Sequence, residues 1–421
     1  MKDKDSKTNN EEIKIDNNYI FSKENVNMGH QPEFDYLKTL GVFEISIVHI
    51  YVFYQYGYLI KFVKHISLLL TAGALMSLMG TGIKYSRHHE LKYYIARGFV
   101  LLTMSQYLNL IRDCLPNLIA WWATRNQKFI SRALLVVRGD ILTFAGLAHF
   151  LLAFMIKMKL SDITILFIGA IMNFISYPLF KIMKSPSNYL LSQFLGYFVL
   201  TNAESYFPII GYFVFVAFGH WMGGFYQKIA NKDKYCNRIL IFFTPILAVY
   251  HYCRCHYDFP MLPSFNSEEH FMLSPGPDAI ARCVAILVFL AGFYKIDKML
   301  GKTPEFISHC GKNLTQYYMI SFIVTMHMNV FMKATRGEKY TADFKYIDIF
   351  AFALLYFSRV LIKMNDKYIH FTITTLKNPK RKIVFSLIWI LAIISVIYIY
   401  PKVDVYANQW NNYLDEYASD A

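Results

Sequence analysis

Asp35, Lys38 and His49 are the residues in this chain whose types and spacing could do chemistry together. They lie in an otherwise apolar stretch, where ionisable side chains are costly and are functional candidates by default. At about 100° per residue, Lys38 and His49 fall within about 20° of each other on a helix, and Asp35 lies about 40° from His49. All three share one stripe, and Glu44 points to the opposite side. Along the axis, His49 is roughly 16 Å from Lys38 and roughly 21 Å from Asp35, too far to touch either. A neutral imidazole can take a proton from a hydroxyl or an amine, or carry an acyl group itself. A lysine ammonium can bind phosphate. A helix whose polar residues only hydrogen-bond to neighbouring spans would show the same pattern without any chemistry.

Arg97 opens another apolar stretch at the expected depth of Lys38. With Arg87, Lys92, Lys157 and Lys159 it could form a basic mouth for a pyrophosphate-containing donor, although such residues also serve as ordinary membrane anchors. Arg138 and His149 share a helix face while Asp140 is turned away, which suits an ion pair to another span or a place at an outer mouth. His220, beside Trp221, and His327 stand alone among apolar residues and are expected to hydrogen-bond between helices. His251, Cys253, Cys255 and His256 are clustered, but more tightly than the usual structural zinc pattern, so no metal is expected. The six cysteines show no paired framework and are expected as buried thiols.

The elements that must position these groups follow from composition. Of 421 residues, 55% are hydrophobic and 17% charged, against roughly 25% charged in an average soluble domain. The apolar residues form blocks of about 17–25, the length that crosses a bilayer as a helix. This excludes a soluble enzyme, a disordered chain and a disulfide scaffold. It predicts an all-α, polytopic transmembrane helical bundle in the cell membrane. Spans are expected near 36–60, 63–85, 94–111, 133–156, 162–180, 206–227, 238–252, 278–296, 313–332, 346–363 and 382–400, ten or eleven in all. Segment 188–202 is too short and is expected as an interfacial or re-entrant helix. Residues 1–34 are expected as a disordered cytoplasmic tail without a cleavable signal, 35–400 as the membrane domain, and 401–421 as a short extracytoplasmic tail.

The net charge of +14 would suggest nucleic acid in a soluble protein. Here the basic residues sit between apolar blocks, where they set topology and meet anionic headgroups, and no nucleic-acid partner is expected. With the N-terminus inside, the inner loops carry Lys84, Arg87, Lys92 and Arg97, then Lys157 and Lys159, then Lys228, Lys232, Lys234 and Arg238. Lys295, Lys298 and Lys302 follow, and finally the lysine-rich stretch 363–382. Loop 253–277 and the acidic C-terminal tail then fall outside, as do 112–132 and 333–345, which still hold four basic residues each.

FDYLKTLGVFEISIVH (34–49) resembles the opening signature of the acyltransferase-three superfamily of membrane acyltransferases, an aspartate, then a basic residue, then a histidine. LMGTGIKYS (78–86), YIARGFVLL (94–102), DILTFAGLAHFLLA (140–153), SYFPIIGYFVFVAFGHWMGG (205–224) and GKNLTQYYMISFI (311–323) resemble, in order, the branch that includes heparan-alpha-glucosaminide N-acetyltransferase. Lys38 stands where that signature has arginine, Thr39 replaces the following glycine, and the basic residue before the aspartate is missing. Lysine is a point charge without the planar fork of a guanidinium. The resemblance implies transfer of an acetyl or other short acyl group from cytoplasmic acyl-CoA, most simply acetyl-CoA, to a glycan or glycolipid acceptor. It implies His49 and Asp35 as catalytic residues and Lys38 and Arg97 as donor-binding residues. A transporter or flippase would use the same stripe as a proton or substrate path, although no internal repeat is visible. A catalytically inactive relative is the third possibility.

Overall fold

The computed structural model describes residues 19–51, 65–66, 69–88, 90–183, 186, 188–200, 206–257, 262, 273–337, 347–369 and 379–403. These residues form α-helices, with one isolated β-bridge and no strand among them. The order is α1 (Pro32–Tyr51), α2 (Thr71–Lys84), α3 (Leu91–Asn109), α4 (Leu115–Thr124), α5 (Gln127–Ala133), α6 (Ile141–Lys157), α7 (Asp162–Ile182) and α8 (Tyr189–Gly196). Then follow α9 (Ile209–Tyr226), α10 (Lys232–His256), α11 (Pro277–Leu300), α12 (Glu305–Lys312), α13 (Leu314–Arg336), α14 (Ile347–Met364) and α15 (Pro379–Val403).

Six helical stretches are long and apolar enough to cross a membrane: 127–157, α7, α9, α10, α11 and 383–402 of α15. The chain is a multi-pass membrane protein. The long helices α1, α3, α13 and α14 are not among the six, and α1 and α3 carry the expected site residues. The apolar windows of α7, α10 and α15 are only 22%, 17% and 22% buried, so their Phe and Ile side chains face outward as lipid-facing surfaces do. Helix α9 is the inner element, packed on α2 and α7, while α1 is ringed by α2, α11, α12, α13 and α14. As expected, segment 188–200 holds only the eight-residue α8.

Glycine makes the α2–α9 crossing possible. A Cβ on Gly219 would run into the Ser77 carbonyl, and one on Gly80 into the Val216 carbonyl. Thr81 then donates its hydroxyl to the Gly219 carbonyl at 3.0 Å, across backbones that only small residues let approach. Gly219→Ala must therefore separate the helices, and it is expected to cost about 1–3 kcal/mol. Thermal unfolding of the purified protein checks this, and an unchanged midpoint would contradict the crossing.

Three sequence expectations need correction. Residues 19–31 are not a loose tail, because Ser22, Val26 and Asn27 donate backbone N–H groups to the carbonyls of Gln227 and Lys228, and Ala230 donates back to Ile20. Polar composition argued for disorder, but backbone pairing with the turn after α9 does not depend on side-chain hydrophobicity. The expected tails at 1–18 and 404–421 lie outside the described residues. Second, the outer loop expected from 112 is helical, since a π-turn at Leu110–Cys114 carries α3 directly into α4. Third, the span expected at 133–156 falls within the apolar stretch 127–157, but it is not one continuous helix: it is interrupted at 138–140, where Asp140 caps α6 by accepting from the Leu142 and Thr143 N–H groups. The shared face assumed for Arg138 and His149 does not survive that break.

Ion pairs gather the loops at two ends of the bundle. At one end lie Lys38–Asp35, Lys232–Glu33, Lys84–Asp162 and the Asp233 bridges to Lys295 and Lys298. Arg254–Asp278 lies at the other end, where α10 finishes and α11 begins. Loops assigned to one side by charge are thus neighbours in space.

Candidate functional site

Between α1, α2, α3, α6 and α13 lies a cavity of about 490 Å³, within the usual range for small-molecule sites. Its wall is mostly apolar, from Leu75, Met76 and Met79 of α2 and Leu101 of α3. Its polar lining includes Lys38, Arg97, His149, Thr315 and Tyr318, together with Ser86, His88, Tyr93 and Tyr94. Lys38 and Arg97, expected to meet on the strength of depth alone, line this one cavity from separate helices. Arg97 is exposed at the cavity and has no carboxylate partner among the described residues. Lys38 is held by Asp35, its Nζ 3.2 Å from Oδ1.

Asp35 is itself buried, with His30 Nε2 3.0 Å from its other oxygen. Gly311 lets α12 close over it, because a Cβ there would overlap the carboxylate. Asp35 and Lys38 are therefore one unit, and both lie away from His49. His149 lines the cavity with Nδ1 2.7 Å from the Ala145 carbonyl. A carbonyl can only accept, so Nδ1 carries the proton and Nε2 is left as an acceptor.

His49 does not line the cavity. Its imidazole stacks on Phe322, with ring centroids 3.7 Å apart and an interplanar angle of 11°. The Arg112 guanidinium lies over the same phenyl ring at 4.3 Å. Because the imidazole covers one face, the guanidinium takes the other. His49 Nδ1 has no hydrogen-bond partner among the described residues.

Arg112 is fully buried and hydrogen-bonds to Asp113 and Asn109, while its remaining Nη has only the longer ionic contact with Asp140 and no hydrogen-bond partner among the described residues. Its Nε donates to Asp113 at 2.8 Å, one Nη donates to Asn109 at 2.8 Å, and the other faces Asp140 at 3.6 Å. Asp140 in turn accepts from the Ser105 hydroxyl at 2.7 Å. The result is a desolvated ionic layer bounded by α3, the π-turn, α6 and α13. Tyr318 touches both this layer and the cavity. It lines the cavity and packs on Phe322 with ring centroids 5.7 Å apart. Along α13, Thr315 at the cavity and Phe322 under His49 are seven residues apart, roughly 10 Å.

Arg112, Asp113, Tyr318 and Phe322 escaped the sequence analysis. An Arg-Asp pair at the end of an apolar span is a visible signal, but hydropathy alone places it in a loop. The lone-histidine expectation holds for His220, whose Nε2 lies 3.2 Å from Asp162 of α7. For His327 the bond seen among the described residues is within its own helix, from Nδ1 to the Ile323 carbonyl at 2.8 Å. Comparison of the chain with protein-family models, curated proteins and solved structures finds no match in any of the three.

Proposed function

We propose that this protein is a membrane acyltransferase that moves an acetyl or other short acyl group from acyl-CoA to a sugar hydroxyl or amine of a cell-envelope glycan. One observation carries the proposal: Lys38 and Arg97, from separate helices, line a single cavity whose lining also includes Tyr318, which packs on Phe322 of the His49–Phe322–Arg112 stack. The phosphates of the donor sit at Lys38 and Arg97, on the side the loop charges assign to the cytoplasm. The narrow apolar cavity takes the pantetheine arm toward Tyr318. His49 accepts the proton of the acceptor hydroxyl or amine as its oxygen or nitrogen bonds to the acyl carbon. The thioester C–S bond breaks, and the CoA thiolate leaves and takes up a proton. Asp35 serves this chemistry through Lys38, which it holds in place, and does not touch the reacting atoms.

Charge-assisted contacts to phosphate are among the stronger hydrogen bonds. Lys38→Met is expected to raise the acyl-CoA concentration needed for half-maximal transfer roughly tenfold, with turnover at saturation little changed. Lys38→Arg supplies a planar fork and is expected to match or improve on wild-type donor affinity. Steady-state kinetics with varied acyl-CoA tests both, and a Lys38→Met enzyme slowed only in turnover would reassign Lys38. The activity itself is tested by mass spectrometry of envelope glycans from cells with and without the protein. Glycan acylation that disappears with the protein is the expected result, and unchanged glycans would contradict it.

A further inference from the structure

At the far end of α10, His251 and Cys255 are four residues apart and project from one face of the helix. His65, from the segment ahead of α2, meets them there. His251 Nε2 lies 3.2 Å from His65 Nδ1, and Cys255 Sγ lies 3.6 Å from His251 Nε2 and 3.9 Å from His65 Nδ1. An imidazole–imidazole hydrogen bond would explain the first distance. It would not explain a thiol sulfur placed close to both of the same nitrogens.

A metal ion explains all three distances. With Zn–N near 2.0–2.1 Å and Zn–S near 2.3 Å, tetrahedral coordination sets two nitrogens about 3.3 Å apart and a nitrogen and a sulfur about 3.6 Å apart. The three donor atoms lie within 4.8 Å of one another, as a single ion requires. Sequence spacing alone missed this arrangement because one ligand comes from a distant segment. Of the four clustered residues, only His251 and Cys255 take part. His256 is turned away, stacked on Tyr252 with its Nδ1 on the Tyr252 carbonyl.

We infer that His65, His251 and Cys255 form a three-ligand site for a borderline-soft transition-metal cation, with Zn²⁺ as its ion. Two imidazoles and a thiolate are the donor set such an ion prefers over Mg²⁺ or Ca²⁺, which take oxygen. His65 is exposed and the other two are half-buried, so the ion has an entry path and a fourth position open to water. The bound ion ties the segment ahead of α2 to the end of α10. The site is separate from the acyl-transfer cavity and does not rest on that assignment.

The test uses the full-length purified protein, stripped with chelator and titrated with Zn²⁺ or with Co²⁺ as a spectroscopic probe. Wild type is expected to bind Zn²⁺ stoichiometrically and, with Co²⁺, to show a thiolate-to-cobalt charge-transfer band. Cys255→Ser is expected to lose that band and Cys253→Ser to keep it. His65→Ala alters an exposed side chain and leaves the helix packing intact, yet it should weaken Zn²⁺ binding by roughly 10–100-fold or more. A charge-transfer band that persists in Cys255→Ser, or unchanged Zn²⁺ affinity in His65→Ala, would overturn the assignment.

Discussion

His49→Ala is expected to lower acyl transfer by about 10²–10⁴-fold, the contribution of a positioned general base, while acyl-CoA still binds. The imidazole is stacked on Phe322 and its Nδ1 is unpartnered among the described residues, so it is held in place with a nitrogen not committed to another group. Glu44 points to the other side of α1 and cannot take over the proton. His149 is the internal control. Unlike His49, it lines the donor cavity, as Arg97 does, and its Nδ1 is engaged by the Ala145 carbonyl. His149→Ala should therefore disturb donor affinity more than turnover. Single-turnover transfer with labelled acetyl-CoA separates the two variants. If His149→Ala abolished the chemical step and His49→Ala spared it, the base would be His149.

Arg112→Met is expected to be the most damaging single change to the fold, costing about 3–5 kcal/mol. Arg112 is fully buried against Asp113 and faces Asp140, so its removal leaves two desolvated carboxylates without their common cation. The cation over Phe322 is lost with it, and so is one side of the stack that holds His49. Stability and transfer should fall together. Adding Asp113→Asn removes one of the orphaned charges, so the double variant should recover part of the lost stability, and that coupling is the signature of a shared network. Thermal unfolding of the four proteins of the cycle reads it directly. Additive losses would show that Arg112 and Asp113 do not act as a unit.

How far the sequence foretold this site depends on how local each signal was. Helix α1 was legible because its polar residues share one stripe in an apolar block, and the Asp35–Lys38 pair is a one-turn contact. That Lys38 and Arg97 line one cavity was legible from depth, since both lie early in their helices. The ionic layer was not. Periodicity ended the third span at 111, but a π-turn inserts into the helix without changing composition, and it carries Arg112 and Asp113 inward. Asp140 was placed on a helical wheel, yet an aspartate three residues before a threonine is also a capping box, and the cap prevailed. The link from His49 to the cavity runs through Phe322 and Tyr318, two aromatics that look like ordinary core in any sequence. His65 is not legible for a different reason: its partners lie almost two hundred residues away.

The central claim is that the Lys38–Arg97 cavity binds an acyl-CoA donor for a reaction completed at His49. Equilibrium binding of labelled acetyl-CoA to the purified protein tests it most directly. Saturable binding is predicted for wild type and for His49→Ala, with roughly tenfold weaker binding in Lys38→Met and in Arg97→Met. No saturable binding to wild type, or equal binding by all four proteins, would contradict the claim.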